Sequence, residues 1–183
     1  MLEAHRGTVR AAILDAVSTL VSERGLHTPT MAQIAEAAGV TRVTVHTHFT
    51  DVESIMHAWH ERQVSNHLSY LDDVGGQPGD PLQRLEAVLR GYAAIVHQTH
   101  EHHSSELGRS LQADEHRGHA RRHLHETIRT VIADGVRAGH LRDDLSPDDL
   151  TVRCLRTIDA IGGQPPAAIR QAVNTILTEL RRP

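Results

Sequence analysis

The chain has 183 residues, of which 39% are hydrophobic and 23% are charged, and its formal net charge is −4 with neutral histidines. A chain of this length buries roughly 70% of the surface it exposes when unfolded, so its core needs neither a disulfide nor a metal. The single Cys154 excludes an intramolecular disulfide and indicates a buried thiol in a reducing compartment. No apolar run approaches the ~18 residues of a membrane span, and no signal peptide opens the chain, so we expect a cytoplasmic protein.

The first helices are indicated by apolar spacing and by capping residues. Residues 8–24 carry aliphatic side chains at helical spacing. Thr30 with Gln33 is the sequence of a capping box, in which the side chains at the two ends of the first turn bond each other's backbone. Gly39 then provides a tight turn, and Thr41 can cap a second short helix.

The segment VTRVTVHTHFT, residues 40–50, is rich in β-branched residues and at first suggests a strand. Neither of its alternating faces is clearly apolar, however, and a strand here would leave an unpaired edge in a helical chain. We therefore expect a short helix of low intrinsic propensity that is held by packing. A short helix, a glycine turn and a second short helix make up the helix-turn-helix, whose second helix enters the DNA major groove.

Longer helices follow, separated by glycine- and proline-rich loops. Thr50 and Glu53 have the spacing of a capping box and open the first of them. The sequence thus predicts an all-α fold of eight or nine helices. The later helices are expected over residues 50–71, from 80 to at least 96, and over 115–138, 146–161 and 169–180.

The stretch TMAQIAEAAGVTRVTVHTHFTDVESIM resembles the DNA-binding signature of the tetracycline-repressor (TetR) family of bacterial transcription regulators. The resemblance covers residues 13–56, including the Ile-Ala-x-x-Ala-Gly-Val core and the pair His48-Phe49. It implies an N-terminal three-helix DNA-binding domain over residues 1–50 and a C-terminal helical ligand-binding and dimerisation domain over residues 51–183. It also implies a homodimer that binds an inverted-repeat operator in double-stranded DNA, usually represses, and is released by a small-molecule ligand.

The resemblance also assigns the residues that contact DNA. Arg42 and Thr44 fall where family members contact base edges, and an arginine can bond guanine in a bidentate manner. The chain departs from the family at Val43, where a small residue is usual, and at His46, where tyrosine is usual. Val52 replaces the lysine that usually contacts phosphate. The predicted DNA-binding residues are Thr30, Thr41, Arg42, Val43, Thr44, His46 and His48.

Electrostatics give weaker support for DNA binding. Four arginines oppose four carboxylates in residues 1–50, whereas a DNA-binding domain more often has a basic excess. One hypothesis is that phosphates keep His46 and His48 protonated, so that affinity falls as the pH rises above about 6.5. The alternative is that both imidazoles are neutral hydrogen-bond donors.

The second domain holds most of the sixteen histidines. His100 and His103 continue an apolar helical stripe that includes Tyr92, so we expect both imidazoles to point into the interior and to form the polar end of an organic-ligand pocket. The predicted ligand-binding residues are Trp59, His67, Tyr92, His100, His103, Arg121 and His125.

A divalent metal ion is the alternative effector. His119 and His123 are four residues apart and His97 and His100 are three apart, so either pair can reach one ion. Further ligands would have to come from elsewhere, such as His67, Glu101 or Glu106. The spacing of Cys and His residues does not fit a structural zinc site.

An enzyme and a dimerising scaffold are two other classes of function that the sequence could serve. An enzyme is not expected, because paired carboxylates, a nucleophile motif and a phosphate-binding glycine loop are missing from the sequence. A dimerising scaffold would leave the DNA-binding signature without a role. Two helices from each chain, running from Leu150 to Ile161 and from Ile169 to Leu180, are the predicted dimer interface, with Cys154 either in the core or at that interface.

Overall fold

The computed structural model describes residues 2–24, 29–102 and 116–182, and within them the side chains of residues 6–23, 29–100 and 118–182. The described chain is helical apart from its loops and one isolated bridge between Leu141 and Arg181. This confirms the predicted all-α fold. None of the described helices is long and apolar enough to cross a lipid bilayer. The helices are α1 (Leu2–Arg24), α2 (Met31–Ala37), α3 (Arg42–His48), α4 (Val52–Gly75), α5 (Pro81–His102), α6 (His116–Arg137), α7 (Pro147–Ile161) and α8 (Pro166–Leu180).

The described residues form two compact units. The first contains the chain up to Val64, and the second contains Ser65–Glu101 together with the described residues from 116 onward. Helix α4 contributes its N-terminal half to the first unit and its C-terminal half to the second. The boundary at residue 50 between a DNA-binding domain and a ligand-binding domain stays a prediction.

The first unit is built around an aliphatic core shared by α1, α2, α3 and the start of α4. Ile13, Ile34, Val45 and Ile55 are all 0% exposed, so each helix contributes at least one fully buried side chain. Burying such a side chain stabilises the fold by about 1.5–3 kcal/mol. Val45 and Phe49 are both buried at α3, which together outweighs a deficit of about 0.5 kcal/mol of helix propensity at each of its β-branched residues. The segment 40–50 is therefore a helix, as expected, because packing holds it.

The predicted caps of α2 and α3 are confirmed. The backbone N–H of Thr30 donates to Gln33 Oε1 (2.9 Å), and the N–H of Gln33 donates to Thr30 Oγ1 (3.3 Å), which completes the capping box. Thr41 Oγ1 accepts from the N–H of Thr44 at 3.1 Å. Gly39 has a positive φ of 65°, so the turn between α2 and α3 uses a backbone conformation that favours glycine.

The predicted cap of α4 is wrong by one residue. Asp51, not Thr50, precedes the helix, and its Oδ1 accepts from the N–H of Ser54 at 2.7 Å. Ser54 Oγ in turn accepts from the N–H of Asp51 at 3.3 Å, so the reciprocal bonds involve Ser54 instead of Glu53. The bond from the Ser54 backbone is the main reason that the pKa of Asp51 lies below its ordinary value. A carboxylate accepts more strongly than a hydroxyl, which favours Asp51 as the cap.

The second unit has its own core, formed by α5, α6, α7, α8 and the end of α4. Leu141, in the loop after α6, is 0% exposed and packs closely on Gly135, where an added Cβ would lie 2.6 Å from Leu141 Cδ1. Arg84 holds three segments together, because it donates to the carbonyl of Gly75 at 3.1 Å and to Asp134 at 2.8 Å. The Arg84 hydrogen bond is the main reason that the pKa of Asp134 is below its ordinary value.

The apolar stripes of α7 and α8 belong to this core. Leu150, Cys154 and Ile158 are 0–1% exposed, and Val173 on α8 is 1% exposed. Burial raises the pKa of Cys154 to about 12, so the thiol stays protonated. Of the two predicted positions for Cys154, the core is the observed one.

Candidate functional site

The exposed surface of α3 is the first candidate site. We call it the α3 face, and it comprises the exposed residues Arg42, Val43, His46 and Thr47. Val43 is 76% exposed, the largest exposure reported for a bulky apolar side chain in the described part of the chain. Its hydrophobic surface therefore contributes nothing to the core of the first unit. An apolar side chain left in water beside an arginine suits a surface that contacts another molecule.

Local packing and hydrogen bonds fix the orientation of the α3 face. Val45 is 0% exposed and Phe49 is 6% exposed, so the opposite side of the helix is anchored in the core. Phe49 also ends the helix, and its N–H donates to the carbonyl of Val45 at 2.9 Å. Thr47 Oγ1 donates to the carbonyl of Val43 at 2.9 Å. The exposed side chains thus project from a short helix that is fixed on its buried side.

The predicted DNA-binding residues lie on this helix or at the caps beside it. Thr30 and Thr41 are exposed, while Thr44 and His48 are partly buried. The hydroxyl groups of Thr41 and Thr44 lie 2.9 Å apart and share a hydrogen bond. The structure therefore brings Thr41 together with the α3 residues and places Thr30 at the start of α2.

Charge on the first unit is distributed unevenly. Up to Val64 the sequence has five arginines and seven carboxylates, so the unit has no basic excess. Arg62 is neutralised by Asp15 at 2.9 Å. Arg10 and Arg42, in contrast, form no ion pair with any described side chain. Uncompensated arginines therefore remain among the described residues of this unit, and Arg42 is the one that lies on the α3 face.

Arg10 is a residue that the sequence analysis did not select. Its guanidinium carbon lies 4.6 Å from the ring centroid of Phe49, the residue that ends α3. The two residues are far apart in the sequence, so no local motif signals their contact. Arg10 becomes a neighbour of α3 only when the chain folds.

A second candidate site lies in the second unit around Tyr92. Its hydroxyl donates to Asp159 Oδ1 at 2.5 Å, and Arg121 donates to Asp159 Oδ2 at 3.1 Å. Burial and the neighbouring Asp159 raise the pKa of Tyr92, so the phenol remains a donor at neutral pH. The predicted ligand residues Tyr92 and Arg121 are thus joined through a carboxylate on α7, and Arg121 is 61% exposed.

The other predicted ligand residues of this unit are more scattered. Helix α5 continues past His100, but His100 is exposed, so its predicted interior position is wrong. It packs against Gly162, where an added Cβ would lie 2.6 Å from its Cδ2. His125 Nε2 lies 3.6 Å from Asp148. Burial lowers the pKa of His67.

Trp59, another predicted ligand residue, lies apart from this group. Trp59 is 8% exposed within the core of the first unit, and its Nε1 donates to Ser18 Oγ at 2.9 Å. Its ring helps to fill that core, and its predicted ligand-binding role stays a prediction. His103 lies outside the described residues.

A groove of about 370 Å³ lies where the end of α4 meets α5 and α6. The carboxylate of Asp72 lies in this groove and accepts hydrogen bonds from His123 Nε2 and Thr127 Oγ1, both at 2.6 Å. None of the predicted ligand-binding residues lines this groove. The lining residues are Asp72, Gly75, Gly76, Arg84, His123, Glu126, Thr127, Thr130 and Val131.

The predicted metal ligands are not assembled in the part of the chain that the structure describes. The rings of His119 and His123 are 6.5 Å apart, but His123 is bonded to Asp72. His97 Nδ1 lies 3.0 Å from the carbonyl of Gly162. No three His, Cys, Asp or Glu side chains among the described residues could hold one ion. The metal-responsive alternative therefore has no support there, and Glu106 lies outside the described residues.

Comparison with known proteins identifies the first unit. Residues 13–58 match the family described as bacterial regulatory proteins, tetR family. A probable HTH-type transcriptional regulator, ArpR of Pseudomonas putida, is 27% identical over 165 residues, which cover 85% of this chain and 79% of ArpR. Two solved structures share the fold. A TetR/AcrR-family regulator from Thermobifida fusca is 20% identical with a TM-score of 0.72, covering 94% of this chain and 98% of its own.

The second solved structure comes from Saccharomonospora viridis and is a regulator in complex with choline. It is 22% identical with a TM-score of 0.71, covering 96% of this chain and 100% of its own. At these identities the structural likeness concerns the fold, while the sequence match lies on α1 to α4, where the α3 face is built. Residues 13–58 therefore resemble the N-terminal region of TetR-family transcriptional regulators, and the described chain shares its fold with solved regulators of that family.

Proposed function

We propose that this regulator binds an inverted-repeat operator in double-stranded DNA as a homodimer, that it represses transcription in the cytoplasm, and that a small-molecule ligand releases it. The observation that carries the proposal is the α3 face. It exposes Val43, and Arg42 with no ion pair among the described side chains, on a helix whose other side is buried. A helix presented in this way has the size and chemistry to enter a major groove.

Individual roles follow from the chemistry of the α3 face. Arg42 donates to the O6 and N7 acceptors of a guanine, the commonest specific contact in the major groove. The hydroxyl of Thr44 is bonded to Thr41, so its methyl group remains for contact with a thymine methyl, as does the side chain of Val43. His46 and His48 supply hydrogen-bond donors for phosphate, together with the caps Thr30 and Thr41.

The division of labour follows the proposed domain boundary, with DNA binding in residues 1–50 and ligand binding and dimerisation in residues 51–183. Helices α7 and α8 form the dimer interface in this proposal. Because their apolar stripes fill the core of their own chain, contact between copies must use the opposite faces. On α8 the side chains of that face are short and largely uncharged, which suits close packing of helices. Its exposed residues include Ala168, Gln171, Thr175 and Thr178.

The effector site is proposed near Tyr92 and Arg121. The exposed Arg121 is held by Asp159, so a ligand can compete for the guanidinium or for the carboxylate. A ligand that binds one conformer better than the other shifts the population away from the DNA-binding form. His67, His100, His103 and His125 complete the proposed ligand residues.

Fluorescence anisotropy tests the DNA proposal. The purified protein is titrated onto labelled DNA from the region upstream of its own coding sequence, with an unrelated fragment of the same length as the control. We expect tighter binding to the upstream DNA, two chains bound at each site, and a steep fall of affinity with salt. Equal affinity for both fragments across the whole salt range would contradict an operator in that region.

A thermal-shift screen tests the effector proposal. A library of small organic molecules is screened for compounds that raise the unfolding temperature and also release the DNA. Arg121→Ala is expected to reduce the response to such a compound without changing DNA affinity. An undiminished response in Arg121→Ala would place the effector site elsewhere.

A further inference from the structure

We infer that Arg10, on α1, is a DNA-phosphate contact that the ring of Phe49 holds beside the recognition helix. The inference rests on the proposed DNA binding and adds a contact from a helix outside the helix-turn-helix pair. Arg10 would supply a positive charge for a phosphate. The apolar Val52, which stands where the family usually has lysine, cannot supply one.

The geometry of the contact is that of a cation–π pair. The guanidinium carbon of Arg10 lies 4.6 Å from the centroid of the Phe49 ring, within the ~6 Å over which such pairs attract. Phe49 is a rigid partner, since it is only 6% exposed and packs in the core of the first unit. Arg10 itself is exposed, so its outer side faces water.

Stacking leaves the hydrogen-bonding capacity of the arginine unused. A guanidinium contacts an aromatic ring through its flat face, while its five N–H donors lie in the plane and point outward. Such a planar fork fits two phosphate oxygens at once. The ring thus restricts the side chain without consuming a donor, which lowers the entropy lost when a phosphate binds.

The charge of Arg10 is also uncompensated within the described residues. Arg62, in the same unit, shows the alternative, since it bonds Asp15 at 2.9 Å and also reaches the carbonyl of Ala11. Arg10 has the Phe49 ring as its partner and no carboxylate among the described side chains. In a unit with more carboxylates than arginines, an unpaired cation beside the end of α3 is a local attraction for a phosphate.

A purely structural role for Arg10 makes different predictions. In that case the contact would only fix α1 against the end of α3, and its loss would lower stability and weaken every property of the unit together. A phosphate contact instead changes the salt dependence of DNA binding, which a structural contact does not.

The experiment compares Arg10→Gln, Arg10→Lys and the control Arg122→Gln, which removes an equal charge from an exposed position on α6. DNA affinity is measured on the upstream fragment at several salt concentrations, and thermal unfolding is followed for each variant. Each phosphate contact contributes about 0.9 to the slope of log affinity against log salt. Arg10→Gln is therefore expected to reduce the slope by about two per dimer, while Arg122→Gln keeps it.

Arg10→Lys is expected to keep the salt slope, because its charge remains, and to recover only part of the affinity, because lysine lacks the planar fork. The inference is overturned if Arg10→Gln has the slope of Arg122→Gln, whether or not its stability falls. Salt-independent or absent DNA binding by the unaltered protein would instead overturn the proposed function, and the inference with it.

Discussion

The α3 face and the core of the second unit use the same residue types in opposite ways. On the α3 face, Val43 is 76% exposed and Arg42 forms no ion pair among the described residues. In the second unit, Leu141 is 0% exposed and Arg84 bonds both Asp134 and a backbone carbonyl. Packing and hydrogen bonds within the fold explain the positions of Leu141 and Arg84. They give no such explanation for Val43 and Arg42. In the proposed function, the residues that have no role in the fold are those that contact DNA.

The largest expected effect comes from the apolar half of this comparison. Leu141→Ala should lower the free energy of unfolding by about 2–5 kcal/mol, because it leaves a cavity beside Gly135. Val43→Ala should change it by less than about 0.5 kcal/mol, since the side chain is largely in water. Urea unfolding of both variants measures the difference. Similar losses in the two variants would break the comparison.

A smaller effect is expected from Arg84, the charged residue of the second unit in this comparison. Arg84→Met should destabilise the protein by about 1–3 kcal/mol, because Asp134 and the carbonyl of Gly75 both lose a donor. The matched change Arg122→Met removes an exposed arginine and should have almost no effect. Thermal and urea unfolding measure both, and a stable Arg84→Met would show that this pairing is not structural.

The hydroxyl of Tyr92 has a smaller role still. Tyr92→Phe retains the buried ring and removes only the donor to Asp159, which should cost about 0.5–1.5 kcal/mol. DNA affinity without ligand should be unchanged. Urea unfolding measures the first quantity and anisotropy the second. A large loss of DNA binding in Tyr92→Phe would show that this site influences the DNA-binding form even when empty.

The smallest effect is a pH dependence in the groove of the second unit. Partial burial raises the pKa of Asp72, but hydrogen bonds from Thr127 and His123 outweigh burial, so the net shift is downward. A depressed pKa contributes stability above the unfolded value of about 3.9, and that contribution disappears as the pH falls through the folded value. Asp72→Asn should therefore flatten the loss of stability below about pH 4.

Unfolding free energies measured from pH 7 to pH 3 test this expectation. Asp73→Asn, at the exposed neighbouring position, is the control. It should lose as much unfolding free energy at low pH as the unaltered protein does. A profile in Asp72→Asn as steep as that of Asp73→Asn would contradict the assignment.

Local features were predictable from the sequence, because capping and helix formation depend on neighbours in the chain. The capping box of Thr30 and Gln33, the cap Thr41 and the glycine turn were found in this way. The cap of α4 failed because two adjacent residues each had a partner three positions later. The stronger acceptor, Asp51, is the one used.

Contacts between distant residues were not predictable. Nothing in the local sequence joins Arg10 to Phe49 or Tyr92 to Asp159, since each pair meets only when helices pack. The same limit explains Trp59, which was predicted to bind ligand and whose ring packs in the core of the first unit. Helical periodicity predicts which face is buried, not which element it meets.

The central claim is that Arg42 on the α3 face reads a base. The most direct test selects bound DNA from a random pool, once with the unaltered protein and once with Arg42→Ala. The account predicts an inverted repeat with a guanine in each half-site, and loss of that guanine preference in Arg42→Ala. Affinity for the selected site should fall with it by about 1–3 kcal/mol. Selection of the same guanines by Arg42→Ala, with the same preference, would contradict the account.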